Sequence, residues 1–367
     1  MIHRRWTTQG FWRAIGIIIP VCLFFLALNP FTATGAYYTP GTGVNWTMDD
    51  LVTNSGGAVT GAAGVYQLHD YLYILENDTL TMSPGDVLAV DPGSLDIAVY
   101  GRLNAVGTSV SGITFTSGAS TPVPGDWEGI YIYDNGSVNL NYCGIHYAYQ
   151  SLYFDTILNT APGSVIDHCN IANMTDSGIN TYFFNGPTLD ILNSQITGAG
   201  SNKHGLDMQY TGRTIVTISH NLITDHGHNG IKLYRGGENV RITNNIISGN
   251  GFNEDKGMGI KVPMGNTNLV ITGNSITGNA AGGIGLNYSE YPATDYGGAE
   301  STTIAGNEIA DNNEYGIIAH YSNGHIISSN TISGHATGIY LDYSWNNIIH
   351  DNTIMGNGDG IYIIGGI

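Results

Sequence analysis

The sequence predicts an all-β solenoid, a parallel β-helix made of short stacked coils, behind an N-terminal hydrophobic segment. Three observations carry this reading. A unit of the form apolar-x-x-[Asn/Cys/Ser]-x-Ile recurs nine times between Leu140 and Ile354 with no drift in spacing. A second apolar signal, in eight cases Gly-Ile or Gly-Leu, follows each unit after 7 to 13 residues. Fifty-two glycines against 11 prolines, with 11% charged residues, describe a turn-dense β protein and not a disordered chain.

The polar position of the unit is occupied in turn by Cys143, Cys169, Ser194, Asn221, Asn245, Asn274, Asn307, Asn330 and Asn352. No single coil can bury its own isoleucines. Stacking at about 4.8 Å brings like positions together, so that Ile sits over Ile and Asn over Asn. Stacked Asn side chains can pass amide hydrogen bonds from coil to coil. The glycine of each Gly-Ile pair is expected to supply a backbone conformation that other residues resist. Periods of 22 to 33 residues leave room for two or three strands of three to five residues per coil. Cys143 and Cys169, on adjacent coils, fall within disulfide reach, or serve as buried thiols in the Asn position.

Residues 65–139 read as less regular coils, with turns at Pro84-Gly85 and Pro92-Gly93, and residues 37–64 as a linker or N-terminal cap. Residues 1–36 read as a signal peptide or membrane anchor. Arg4, Arg5 and Arg13 precede an apolar run from Ala14 to Leu28, which is shorter than a full span. The body is therefore expected outside the cytoplasm: secreted, periplasmic or on the cell surface. The chain stops at Ile367 directly after a strand, and an open solenoid end exposes apolar side chains, so residues 140–367 are expected to continue or to be covered by a partner.

These features resemble the right-handed parallel β-helix repeat family shared by pectate-lyase-like enzymes and periplasmic NosD-like proteins. The resemblance rests on the repeats of residues 140–367 and on the run Gly125-Asp126-Trp127-Glu128-Gly129-Ile130, which is similar to the entry coils of secreted β-helix proteins. It implies a right-handed solenoid and, from the enzymes, a groove for acidic polysaccharide. The polygalacturonase pattern is not met, since only His226-Gly227-His228 and Ile231-Lys232 echo it.

Charge locates the candidate groove. Without its first 36 residues the chain carries 8 basic and 29 acidic residues, a net of about −21. Such a body excludes nucleic acid or an anionic membrane as a partner through its overall field; membrane contact is expected only through an uncleaved N-terminal segment. Yet 7 of the 8 basic residues lie between Lys203 and Lys261. Strand alternation places Asp207, Lys232 and Lys261 in one outward column on adjacent coils, and Gln209, Tyr234 and Pro263 in the next. Lys232, Lys261 and Arg235 are the candidate catalytic residues for β-elimination from a uronate, in which a cation neutralises the carboxylate and a base removes the adjacent C–H proton. Asp207, Gln209, Tyr210, Tyr234, Tyr288 and His204 are the candidate substrate contacts. Asp207 with Glu254 and Asp255 could hold Ca²⁺ through oxygen ligands.

Two other readings compete. A regular stack can serve as a non-catalytic surface or adhesin module, a rigid spacer without an active site. The NosD resemblance implies a copper association, for which His204, His226 and His228 are the candidate ligands. The sequence favours a monomer, and any enzyme is expected to be a lyase, because hydrolysis needs paired carboxylates.

Overall fold

The computed structural model describes residues 35–200, 202–212, 214–235, 239–252, 257–264, 268–286 and 300–365. The chain divides into two units, Met1–Thr32 and Ala33–Ile367. The first, with the expected export segment, lies outside the described residues. Among those described, no helix is long and apolar enough to cross a membrane.

The second unit is a right-handed parallel β-solenoid. Each coil gives a strand to a first, a second and then a third sheet, of 13, 12 and 13 strands respectively. Named strands pair in parallel throughout, except for Val59–Ala62 with Val65–Leu68. The isoleucines align as the repeat spacing requires. In the second sheet Ile218, Ile242, Ile271, Ile304, Ile327 and Ile349 stand opposite one another in succession. The Gly-Ile strands form the first sheet, where Ile231 meets Ile260, Ile260 meets Ile284 and Ile284 meets Ile317. One uninterrupted core runs from Trp46 to Leu341. Each fully buried isoleucine contributes roughly 1.5–3 kcal/mol.

The turn from second to third sheet is a single left-handed residue. Nine successive coils place Tyr142, His168, Asn193, His220, Asn244, Gly273, Gly306, Ser329 and Asp351 there, with φ between 47° and 67°. Only two are glycine. The next residue points inward and forms the ladder: Asn221 donates its amide to Asn245 at 3.0 Å, Asn245 to Asn274 at 2.9 Å and Asn274 to Asn307 at 3.0 Å. The series continues through Asn330 to Asn352, each step at 2.9 Å. Ser194 joins by accepting from the Cys169 N–H at 3.0 Å. Cys143 and Cys169 are free and buried. The Cys143 thiol is pushed up by its contact with Cys169 and then by burial.

The glycines of the Gly-Ile pairs act differently from expectation. None of Gly230, Gly259, Gly283 or Gly316 has a positive φ. They are needed because a Cβ would meet both an isoleucine and the backbone of the next coil. At Gly283 it would stand 2.5 Å from Ile309 Cγ2 and 2.6 Å from the Gly316 carbonyl. Close approach, and not backbone conformation, selects glycine here.

A second ladder at the turn from third to first sheet went unanticipated. Asn250 donates to Asn279 at 2.8 Å and Asn279 to Asn312 at 2.7 Å, and His335 lies 3.2 Å from Asn312. His226 begins it. Its Nδ1 accepts from the Ala199 N–H at 3.1 Å and its Nε2 lies 2.9 Å from the Ile196 carbonyl, so the neutral ring carries its proton on Nε2. Burial pushes the His226 pKa down to about 4. The folded value lies below the unfolded one, near 6.5, so the stabilisation is complete above pH 6.5 and is lost as pH falls toward 4. His226→Asn, which restores the residue used by the next three coils, should remove about 2–3 kcal/mol of the loss between pH 7 and 4.5. Urea unfolding of both proteins at the two pH values measures it, and parallel pH curves would contradict the assignment.

At the N-terminal end residues 37–64 are ordered. Helix α1, Met48–Asn54, opens with a capping box between Thr47 and Asp50 and buries Met48 and Leu51 in the core. Asp78 ties this segment down by accepting from the Gly41, Gly43 and Val44 N–H groups at 2.8–2.9 Å.

Candidate functional site

The outward column of the first sheet forms as its alternation requires. Asn180 stands opposite Asp207, Asp207 opposite Lys232 and Lys232 opposite Lys261. Lys232 Nζ lies 3.2 Å from Asp207 Oδ2, and the Gln209 side-chain amide donates to the same oxygen at 3.1 Å. Asp207 Oδ1 is buried and accepts no hydrogen bond. Burial pushes the Asp207 carboxyl up, while Lys232 beside it works the other way. Lys261, only 8% exposed, is held in the same wall. A carboxylate this enclosed costs free energy unless its oxygens are matched, so the cluster favours a polar group brought to Oδ1.

The loop before the Leu206–Gln209 strand supplies His204, whose Nε2 lies 3.9 Å from Asp207 Oδ2. His204 Nδ1 accepts from the backbone N–H of Asn229 at 3.3 Å, leaving the proton of the neutral ring on Nε2. Burial first, then Lys232, lowers the His204 pKa well below its ordinary value. His204 therefore presents an N–H toward the carboxylate. Asn229, fully buried, also lies 3.2 Å from His228 Nδ1 and accepts from the Met258 N–H at 2.9 Å, tying three coils together.

A second column, immediately after these strands, is left-handed at Phe183, Tyr210 and Arg235, with φ of 53°, 51° and 49°. The turn lays their side chains over one another: the rings of Phe183 and Tyr210 stack at 4.5 Å, and the Arg235 guanidinium carbon lies 5.6 Å from the ring centroids of both Tyr210 and Tyr234. Arg235 is thus a cation on an aromatic platform. One position departs from the simple alternation. Tyr234 pairs with Met264 and not Pro263, because the register shifts within the Met258–Met264 strand. Strand alternation cannot foresee a bulge.

Of the candidate residues, Asp207, Lys232, Lys261, Gln209 and His204 come together in one cluster, with Tyr210, Tyr234 and Arg235 beside it. Tyr288, Glu254 and Asp255 lie outside the described residues. His226 is removed from the candidate copper ligands, since both ring nitrogens are engaged in the solenoid wall. Among the described residues no three His, Cys, Asp or Glu side chains converge as a metal site. Asn229 and Phe183 were missed. Neither belongs to an outward strand position, and only the turn geometry brings them in.

The family model described as right handed beta helix region matches residues 97–276, and that described as periplasmic copper-binding protein (NosD) matches residues 241–363. Together with the solenoid, the two matches support a right-handed β-helix repeat family for this chain. As a β-helix repeat protein it is similar in structure to the periplasmic alginate epimerase AlgG, with a TM-score of 0.54 at 14% identity over 88% of this chain and 83% of that one. It is similar also to the A-module of the mannuronan C-5 epimerase AlgE6 from Azotobacter vinelandii, with a TM-score of 0.50 at 16% identity over 83% of this chain and 88% of that one. The Dettilon tailspike protein gives a TM-score of 0.51 at 14% identity, over 82% of this chain and 61% of the other. At such identities the likeness is one of fold. No curated protein sequence matches this β-helix repeat chain.

Proposed function

We propose that this exported β-helix protein binds an acidic, uronate-containing polysaccharide on the first-sheet face around Asp207, Lys232 and Lys261, and that it acts on the polymer by removing the proton next to the carboxylate. The observation that carries the reading is the cross-coil column itself. Two lysines and a largely buried aspartate stack on three adjacent coils of an otherwise acidic body, beside the Phe183–Tyr210–Arg235 platform. The lysines supply positive charge for a carboxylate, and the flat rings supply faces for sugars. Two of the similar folds are named as epimerases of alginate or mannuronan, which are uronate polymers. Epimerisation and β-elimination begin with the same step, proton removal next to the carboxylate, and differ in whether the carbanion is reprotonated or expels a leaving group. We place the protein outside the cytoplasm as a monomer, with Ca²⁺ as the candidate cation at Asp207.

Affinity electrophoresis in alginate, pectate and a glycosaminoglycan, with and without Ca²⁺, tests binding. Lys232→Ala and Lys261→Ala should each weaken retardation by at least about tenfold, equivalent to about 1.4 kcal/mol. A rise at 235 nm would report elimination, and proton NMR of the recovered polymer would report epimerisation. Unretarded migration in every polymer would leave the rigid-spacer reading. The match to the copper-binding family model over residues 241–363 supports a second reading, a NosD-like copper association. Calorimetric titration with Cu²⁺ separates it, since stoichiometric binding that survives both lysine substitutions belongs to that reading alone.

A further inference from the structure

A second site lies on another part of the solenoid, where the first sheet turns into the second. It is a pocket of about 420 Å³, bordered by Glu76, Tyr100, Arg102, Asn135, Ser137 and Thr160. The volume falls within the range that holds a small ligand. Its centre is built as the lysine column is built: Thr79, Arg102 and Ser137 stand opposite one another on three adjacent coils.

Four features point to a ligand. Arg102 is the single basic residue of the body outside the stretch from Lys203 to Lys261. It is exposed, and among the described residues no carboxylate lies within ion-pairing distance of it. Ser137, which lines the pocket, is 1% exposed, and its buried hydroxyl has no hydrogen-bond partner. The rim is fixed in advance, since Asn135 donates to Glu76 at 2.8 Å and accepts from Thr160 at 2.6 Å. Tyr100 stacks on Tyr133 at 5.1 Å and closes one side with an aromatic surface. Arginine suits a planar carboxylate, hydroxyl and amide groups suit sugar hydroxyls, and an aromatic edge suits a pyranose face.

We propose that this pocket binds a single acidic sugar residue, a uronic acid, with its carboxylate on Arg102 and a hydroxyl on Ser137. The proposal stands apart from the first-sheet site. Its strands lie five coil steps from Lys232, about 24 Å along the axis at the usual strand spacing.

The test uses the intact protein carrying Lys232→Ala and Lys261→Ala, so that the first-sheet column does not contribute. Titration with D-galacturonate, followed by calorimetry, should show one saturable site, at least about tenfold tighter than for the neutral sugar galactose. Adding Arg102→Ala should abolish that binding with the far-ultraviolet circular dichroism unchanged, and Arg102→Lys should retain part of it. Equal affinity for galactose, full competition by equimolar sodium sulfate, or unaltered binding in Arg102→Ala would each overturn the proposal. Failure of polymer binding at Lys232 and Lys261 leaves this measurement untouched, so the two readings fall separately.

Discussion

Asn274→Leu should lower the unfolding free energy by about 3–5 kcal/mol, seen as a shift of the urea midpoint. The side chain is 1% exposed and works in three directions at once. Its amide donates to the Ile242 carbonyl at 2.9 Å and to Asn307 Oδ1 at 3.0 Å. Its oxygen accepts from both the backbone N–H and the side-chain amide of Asn245, each at 2.9 Å. Leucine is similar in size, so the loss is not one of volume. It strands the Asn245 N–H and one amide hydrogen of Asn245 and removes a donor from the Ile242 carbonyl where water does not reach, while Asn307 Oδ1 keeps only the backbone N–H of residue 274 at 2.9 Å, and each orphaned group costs about 1–3 kcal/mol before relaxation. A midpoint shift below 1 kcal/mol would mean that the ladder is incidental to stability.

Gly283→Ala should cost about 3 kcal/mol, whereas Gly306→Asn should change stability by less than about 1 kcal/mol. The pair inverts the usual reasoning about glycine. Gly306 has a φ of 64° and nothing within 4 Å of where a Cβ would stand, and Asn193 and Asn244 occupy the same turn position on other coils. Gly283 has an ordinary backbone, but a methyl there would be driven into Ile309 Cγ2 at 2.5 Å. The isoleucine is fixed by its neighbours above and below, so the added carbon forces coils apart. Comparable urea midpoints for the two variants would contradict this account.

Much of the solenoid was legible because its physics is periodic. The spacing Ile-x-x-Asn-x-Ile specifies which side chain turns in at one corner, and the stack repeats the instruction. The second ladder carries the same signature, since Asn250, Asn279, Asn312, His335 and Asn357 each fall three residues after the third-sheet isoleucine. The lysine column was legible for the same reason of alternation. What surrounds it was not. The shift at Met264 depends on one extra residue in a strand, and the Phe183–Tyr210–Arg235 stack depends on left-handed turns at residues that do not favour them. Neither leaves a compositional mark. The Arg102 pocket was equally hidden, because the coils that build it precede the regular repeat.

The one-residue left-handed corner has a consequence for how such a chain diversifies. Tyr, His, Asn, Gly, Ser and Asp all occupy it, and its side chain does not join the ladder, so the corner imposes almost no identity on what it displays. Each coil behaves as a graduation on a ruler, fixed in height by the ladders and free in the group mounted at its edge. Duplicating or deleting one graduation would move every group beyond it by a single strand spacing, about 4.8 Å, without disturbing the arrangement on either side. The distance between Arg102 and Lys232 is therefore a whole number of steps, and inheritance can adjust it only in those steps.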